Sequence, residues 1–384
     1  MNGKTSDKPN EIRVLHIKEQ LSADGATVII LNLARQLQGK VTFDWLLFEE
    51  GDRHWHEMFE TLGSTIHVLN SFKGGPKLRK WFKKYLTAKK FFKTHPYHTI
   101  HIDTNGFAWV PVLLAAKTAG IEQRIVHSHS ANAEGSSISG KPFLQKIGRT
   151  LYMLLATDCI ACSKEAGQWL FGSNAQGKVQ LLKNGIDTKR FRFDAVKRAA
   201  CRDELGIKDE LVVGHVGRFV KVKNHAFLLT VFQKIHEKIP RSRLLLIGTG
   251  ELKQEISRRI EESGFQDAVT MIDETDCPER YYCAMDVFVL PSLSEGLGLV
   301  AVEAQCSGLP SFISANCPEE AVITNSCFRL PLEMGAEAWC ERILDESKNT
   351  HTREEAYLSV RKHGYDIGRT AEQFYALYQR PYRS

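Results

Sequence analysis

The sequence predicts an α/β protein made of two doubly wound, Rossmann-like domains. Three observations carry that expectation. Strand-like and helix-like segments alternate over almost the whole chain, the rhythm of βαβ units in a parallel sheet. The rhythm breaks once, between Asp187 and Asp209, and then restarts. The chain has 384 residues, more than one typical domain holds and enough for two of roughly 180 to 190 each.

In the first half, apolar runs at Ile12–Ile17, Val41–Phe48, Thr65–Leu69, Thr99–Ile102, Arg124–His127, Asp158–Ala161 and Val179–Leu182 read as strands. Helices are expected at Ala26–Gln38, Lys77–Lys93, Ala108–Ala119, Phe143–Ala156 and Lys164–Leu170. Asn184-Gly185 is a turn signal, and the charged stretch Asp187–Asp209 reads as an irregular linker. In the second half, strands are expected at Leu211–Val216, Arg243–Ile247, Val269–Ile272, Val287–Leu290 and Ser311–Ile313. Helices are expected at His225–Glu237, Glu251–Ser263, Leu299–Ser307, Ala336–Glu346, Arg353–Lys362 and Ile367–Tyr378. Two such domains bind ligands at the strand C-terminal ends, facing a cleft.

Composition narrows the class. Hydrophobic residues make up 43% and charged residues 25%, ordinary values for a soluble globular enzyme. No window of about 18 apolar residues marks a membrane span. Residues 1–11 are polar and lack the apolar core of a secretory signal, so they read as a short disordered tail. Nine scattered cysteines fit reduced thiols in a cytoplasmic protein. Cys159-Ile160-Ala161-Cys162 lies in an apolar strand and reads as packing, since no second pair of matching spacing accompanies it.

The net charge of +6 is concentrated: residues 73–93 carry nine Lys/Arg and no acid, interleaved with Trp81, Phe82, Tyr85, Leu86, Phe91 and Phe92. At helical spacing this gives an aromatic face and a cationic face, the pattern of a helix on an anionic membrane surface. A solvated basic face of an ordinary domain helix has the same pattern. No recognised nucleic-acid module accompanies it, so nucleic acid is not expected as a partner.

Four strand-to-helix loops carry the chemistry. The most informative is Pro291-Ser292-Leu293-Ser294-Glu295-Gly296-Leu297-Gly298-Leu299, followed by Glu303. A buried strand, a glycine loop and a helix N-terminus form an anion site. Glu295 and Glu303 are carboxylates that accept hydrogen bonds from hydroxyls. After Leu211–Val216 comes Gly217-Arg218-Phe219-Val220-Lys221-Val222-Lys223-Asn224, where Arg218 and Lys223 suit a diphosphate. Gly248-Thr249-Gly250 is a weak G-x-G, with Lys253 at the third glycine position, so a dinucleotide is not expected. In the first domain, Gly25 opens a helix and can bring backbone N–H groups to a phosphate. His127 and His129 stand at a strand end, where hydrogen bonding is expected and, for want of a third ligand, a zinc site is not.

Taken in order, Gly217-Arg218 with Lys223, Asn184-Gly185-Ile186-Asp187 with Phe191, Pro291-Ser292, and Glu295 with Glu303 resemble the motifs of glycosyltransferase family 4, in particular bacterial capsule and exopolysaccharide enzymes. The resemblance spans nearly the whole chain. It implies the GT-B fold, with an acceptor-side domain over 1–187, a nucleotide-sugar domain over 188–364, and a C-terminal helix within 365–384 crossing back to the first. It also implies retaining transfer from a nucleotide-diphosphate sugar, a UDP-sugar above all, to a glycan or polyprenyl-diphosphate-linked acceptor, with no metal or other cofactor.

By the same resemblance, Glu303 would bind the ribose and Glu295 the hydroxyls of the transferred sugar. Arg218 and Lys223 would hold the diphosphate, aided by Gly25 and by the backbone of Gly296, Leu297, Gly298 and Leu299. His129 would contact the transferred sugar near the reacting centre, with His127 as the alternative. The enzyme would work in the cytoplasm, peripheral to the inner face of the membrane through residues 73–93. A sugar-nucleotide 2-epimerase and a non-catalytic nucleotide-sugar-binding subunit are the competing readings. One departure stands out: the first glycine loop of the family reads Gly-Gly-x-Glu, whereas this chain has Asp24-Gly25-Ala26-Thr27, and a carboxylate beside a diphosphate would repel it.

Overall fold

The computed structural model describes residues 11–22, 24–69, 76–129, 142–175, 177–273, 275–347 and 352–381. Residues 1–10 of the expected tail and Lys73 of the basic segment lie outside the described residues. The chain divides into two compact units, residues 1–185 with 367–384, and residues 186–366.

The strands of unit 1 are β1 (Ile12–Lys18), β2 (Val41–Leu47), β3 (Ile66–Val68), β4 (Thr99–Thr104), β5 (Gln123–Ser128), β6 (Asp158–Ala161) and β7 (Val179–Leu181). They form one parallel sheet in the order β3-β2-β1-β4-β5-β6-β7. Its helices are α1 (Gly25–Gln36), α2 (Arg53–Glu60), α3 (Lys77–Thr94), α4 (Val110–Thr118), α5 (Pro142–Leu155) and α6 (Lys164–Phe171). Parallel strands covered on both faces bury almost every side chain, and β2 and β4 are buried at every position. Cys159 and Cys162 are buried free thiols.

Unit 2 begins with α7 (Ala195–Glu204), followed by β8 (Leu211–Val216), α8 (His225–Lys238), β9 (Ser242–Ile247), α9 (Lys253–Ser263) and β10 (Val269–Ile272). It continues through α10 (Pro278–Ala284), β11 (Val287–Leu290), α11 (Leu299–Cys306), β12 (Ser311–Ser314), β13 (Cys327–Leu330), α12 (Gly335–Ser347) and α13 (Ala356–Lys362). Its sheet is parallel in the order β10-β9-β8-β11-β12-β13.

The stretch read as a linker is not irregular. Asp194 caps α7 by accepting from the amides of Val196 and Lys197. The charges that made the stretch look like a linker are used internally. Arg198 donates to the carbonyls of Cys283, Ala284 and Met285 and pairs with Asp286, and Arg202 also reaches Ala284 O and Asp286. Long arginine stems pack while their forks satisfy carbonyls, which a hydropathy reading does not see.

The last helix, α14 (Ile367–Tyr378), belongs to unit 1 and packs on α1. Gln123 Nε2 donates to Leu377 O at 2.9 Å, Thr370 donates to Lys183 O at 3.0 Å, and the Tyr378 hydroxyl lies 2.8 Å from His101 Nδ1.

In each sheet the strand order reverses once, between β1 and β4 in unit 1 and between β8 and β11 in unit 2. At such a switch point the two flanking loops part, opening a crevice at the strand C-terminal ends.

Candidate functional site

The switch point of unit 2 holds the loops that the sequence singles out. Asn224 (φ 56, ψ 46) is the one non-glycine residue in the left-handed region among those described. Its side chain donates to Pro291 O at 3.1 Å, and Leu293 N donates to Val222 O at 2.8 Å. These two bonds tie the loop after β8 to the loop after β11. Across the tie, Lys223 Nζ lies 2.6 Å from Glu295 Oε1, and Ser292 Oγ donates to the same oxygen at 2.6 Å. The ion pair is largely shielded, with side-chain exposures of 15% and 11%. Glu295 Oε2 takes no hydrogen bond among the described residues.

Gly298 takes φ +75, turns the chain and starts α11 with no side chain capping it. Ala301 N donates to Gly298 O at 2.8 Å, no side chain takes the amides before it, and the helix dipole adds positive potential there. Helices α3, α4, α8, α9, α10 and α13 also start without a side-chain cap, so what singles out α11 is its place on the loop that carries the Lys223–Glu295 pair. Arg218 is exposed and has no ion-pair partner among the described residues. An uncapped helix start next to a lysine, with a free arginine on the adjoining loop, is a site for a polyanion.

Glu303 lies on α11 and accepts from the Tyr282 hydroxyl at 2.8 Å. Burial lifts its carboxyl to about 7, against the opposing pull of that hydrogen bond and of Arg190. Phe191 packs edge-on against Tyr282, with 5.8 Å between ring centroids. Asp187 shapes the turn leading to it by accepting from the amides of Lys189 and Arg190. The Asn184–Phe191 motif thus acts on Glu303 through Tyr282.

Gly248 (φ +139) and Gly250 (φ +157) serve the arginine loop and not a dinucleotide. A Cβ at Gly248 would stand 2.2 Å from Gly217 O, and one at Gly250 2.5 Å from Phe219 O. Phe219 N donates to Thr249 O at 2.8 Å, fixing the residue beside Arg218. Lys253, at the third glycine position, pairs with Asp273 of the acidic loop after β10, so one surface ion pair uses both residues.

Unit 1 departs from expectation at Gly25. The positive end of α1 is already occupied by the carboxylate of Asp24, which accepts from Thr27 N at 3.1 Å and is paired with Lys18. Burial alone would raise the Asp24 pKa, but Lys18, Ser22 and the helix amide lower it. The charge that looked repulsive to a diphosphate is neutralised within the loop, and the helix start that Gly25 was expected to offer is taken.

His127 and His129 do share a face, with 3.9 Å between ring centroids. The third partner that the sequence did not show comes from neighbouring strands, and hydrogen bonding of His129 is as expected. His16 of β1, His101 and Asp103 of β4, and both histidines converge at the switch point. Asp103 Oδ2 is 2.8 Å from His16 Nδ1, and Oδ1 is 2.8 Å from His129 Nε2. His101 Nε2 lies 3.3 Å from His127 Nδ1, and His101, Asp103 and His127 each place a potential ligand atom within 4.8 Å of the others. Burial drives the His101 pKa down to about 3 and that of His127 well below its usual value. Burial would raise Asp103, but the surrounding histidines hold it well below the ordinary carboxylate range.

Sequence reasoning missed His16, His101, Asp103 and Tyr282, and named Ser292 without seeing its bond to Glu295. A signal existed for three of them. His101-Ile102-Asp103 repeats the i, i+2 alternation of His127-Ser128-His129, and His16 pairs in register with His101.

Comparison with known proteins agrees with this geometry. The family model for glycosyltransferase family 4 matches residues 23–190, and the model for glycosyl transferases group 1 matches residues 197–357. The chain is 33% identical to a glycosyltransferase of Bacillus subtilis, EpsF, over 341 residues, 86% of each chain. It is 32% identical over 181 residues to the capsular polysaccharide biosynthesis glycosyltransferase CapM of Staphylococcus aureus, covering 44% of this chain and 46% of that one. Among solved structures, HepE of Anabaena in complex with UDP and glucose has a TM-score of 0.76 at 19% identity, covering 96% of this chain and 99% of that one. WaaG, a glycosyltransferase involved in lipopolysaccharide biosynthesis, has a TM-score of 0.72 at 14% identity, covering 96% of this chain and 100% of that one.

Two parallel-sheet units, the second with an anion-ready loop at its switch point, are those of a GT-B glycosyltransferase, and the chain is an enzyme of that class. It belongs to glycosyltransferase family 4.

Proposed function

We propose that the enzyme transfers a sugar, with retention, from a UDP-sugar to a glycan or a lipid-linked acceptor in surface-polysaccharide biosynthesis. The observation that carries this reading is the unit 2 switch point: the uncapped start of α11 beside the Lys223–Glu295 pair and the free Arg218. CapM is named for capsular polysaccharide biosynthesis and HepE was solved with UDP, which supports the same reading.

Cleaving a glycosyl–phosphate bond leaves its electron pair on the diphosphate. Arg218, Lys223 and the amides of Leu297, Gly298 and Leu299 are of the right sign to stabilise that charge, and they would do so more in the transition state than in the ground state. The acceptor hydroxyl attacks the face the diphosphate leaves, and a phosphate oxygen takes its proton. Glu303 grips the ribose, and Glu295 and His129 take sugar hydroxyls. In this reading donor binding moves Lys223 partly from Glu295 to phosphate, leaving the carboxylate for the sugar. No metal is required, since the cationic groups supply the electrostatics.

The acceptor side is read from α3. Lys84, Ala88, Phe91 and Phe92 turn inward, and Lys84 pairs with Glu19 at 3.0 Å and lies 3.9 Å above the Trp109 ring. Leu78, Trp81, Phe82 and Leu86 are exposed among Arg79, Lys80, Lys83 and Lys90. Apolar anchors set in positive charge match an anionic bilayer. Among the described residues, no helix is long and apolar enough to cross a membrane.

The test is a panel of nucleotide sugars incubated with the chain, membrane extract and EDTA. The expected result is release of free UDP with one donor and incorporation of its sugar into extracted material, with the anomeric configuration kept. Interconversion of sugar nucleotides without acceptor would make the enzyme an epimerase. Binding without any turnover would make it a non-catalytic subunit.

A further inference from the structure

The polar cluster of unit 1 enters the proposed function only through His129, yet its geometry says more about that residue. The Asp103 side chain is 1% exposed, and its two oxygens face one histidine each, Oδ1 toward His129 Nε2 and Oδ2 toward His16 Nδ1, both at 2.8 Å. An ionised carboxylate only accepts hydrogen bonds, so each facing nitrogen must carry the proton. The proton facing Asp103 therefore sits on His129 Nε2, and a ring carrying that one proton has its lone pair on Nδ1. That nitrogen is buried and has no partner among the described residues.

The ring is held on three sides. Asp103 holds its edge, the His127 ring lies 3.9 Å away between centroids, and the backbone amide of His129 donates to Asn105 Oδ1 at 3.2 Å. A buried acceptor without a donor is destabilising, a deficit that a ligand hydroxyl removes.

We propose that Asp103 is a positioning residue that fixes His129 in the Nε2–H tautomer, braced by His16, so that His129 Nδ1 accepts a hydrogen bond from a hydroxyl of the transferred sugar. The role of that hydroxyl rests on the reading of His129 as a sugar contact; the tautomer does not. His129 is thus an acceptor at the reacting centre and not a cationic donor. Sugars or analogues carrying a hydroxyl at that point are bound, and analogues with an acceptor there, such as a methoxy or fluoro group, are rejected.

Two measurements on the full-length chain test this. Long-range ¹H–¹⁵N correlation spectra of ¹⁵N-histidine-labelled protein at neutral pH, with His129→Gln assigning the signal, should show His129 protonated at Nε2 and bare at Nδ1. A proton on Nδ1 overturns the proposal, and this reading of the wild-type chain needs no variant to fold. Asp103→Asn should lose the single tautomer and lower kcat about 5–150-fold, the cost of one buried hydrogen bond left unmade, while UDP affinity stays within about twofold. An unchanged tautomer or an unchanged kcat in that variant also overturns it.

Full activity in His129→Gln would instead sink the sugar-contact reading, leaving the wild-type spectrum to decide the tautomer. His101 Nε2 and His127 Nδ1 stand 3.6 and 3.7 Å from Asp103 Oδ1, spacings that ligands of one tetrahedral zinc ion share. Stoichiometric zinc retained by the wild type through gel filtration and lost in His101→Gln would therefore overturn the proton assignment in favour of a metal centre.

Discussion

Lys223 Nζ lies 2.6 Å from Glu295 Oε1, so a cation expected to hold phosphate and a carboxylate expected to hold sugar are bonded to each other before any donor arrives. The pair keeps two shielded charges neutral and preorganises both side chains. It also couples them, because removing either leaves the other partly buried and unpaired.

Lys223→Ala should therefore lower kcat by about 10²–10³-fold and also lower the melting temperature. Arg218→Ala should lower kcat over the same range of about 10²–10³-fold and leave the melting temperature unchanged, because Arg218 is exposed and unpaired. Steady-state kinetics and thermal unfolding on the same preparations check the contrast. Wild-type turnover in either variant sinks its assignment.

Glu303 gives a pH dependence with a definite sign. Its carboxyl titrates near 7 in the folded chain, above its ordinary value of 4.5. Raised in this way, it contributes stability fully present below its unfolded pKa and lost as pH rises through about 7. Glu303→Gln stays neutral and should lose less stability than the wild type between pH 5 and pH 8, as read by denaturant midpoints. Ribose binding runs the other way: the ionised carboxylate is the better acceptor, so UDP affinity should rise more steeply from pH 6 to pH 8 in the wild type than in the variant, where only the terminal phosphate of UDP titrates. The reverse slope counts against Glu303 as the ribose grip.

Asp24 is a cap paired with Lys18 and not a free charge. Asp24→Ala should lower stability by about 1 kcal/mol for the lost cap, with more from the stranded lysine, and should leave UDP affinity unchanged. A tighter UDP complex in the variant would show that the carboxylate does oppose the donor.

On α3, inward and outward lysines separate two effects. Trp81→Ser with Phe82→Ser should abolish co-flotation with phosphatidylglycerol vesicles and leave stability intact. Lys84→Ala should cost on the order of 2 kcal/mol through the lost contacts with Trp109 and Glu19 and spare flotation. Equal flotation of wild type and the double variant rules out this face as the membrane anchor.

The repeating βαβ pattern was legible because parallel strands buried on both faces read as apolar runs bounded by helices. Arg218, Lys223 and Glu295 were legible because each sits on a glycine-marked strand-to-helix loop, and Glu303 because it lies on the helix that follows such a loop. What the sequence hides is pairing across distance. Asp187–Asp209 looked like a linker because Arg198 and Arg202 spend their charge on carbonyls some 80 residues away. His16, His101, Asp103 and His129 come from three strands, and only the strand order β1-β4-β5 makes them neighbours. Asp24 looked repulsive because its partner, Lys18, lies on the preceding strand.

The central claim is that the unit 2 switch point binds the nucleoside diphosphate through Arg218, Lys223 and the open start of α11. Isothermal titration of UDP into the full-length chain with EDTA present tests it most directly. The account predicts metal-independent binding of one UDP per chain, weakened at least about tenfold in Arg218→Ala, the loss of one charge-assisted contact. Equal affinity in wild type and Arg218→Ala, or binding that appears only when a divalent metal replaces the chelator, would contradict it.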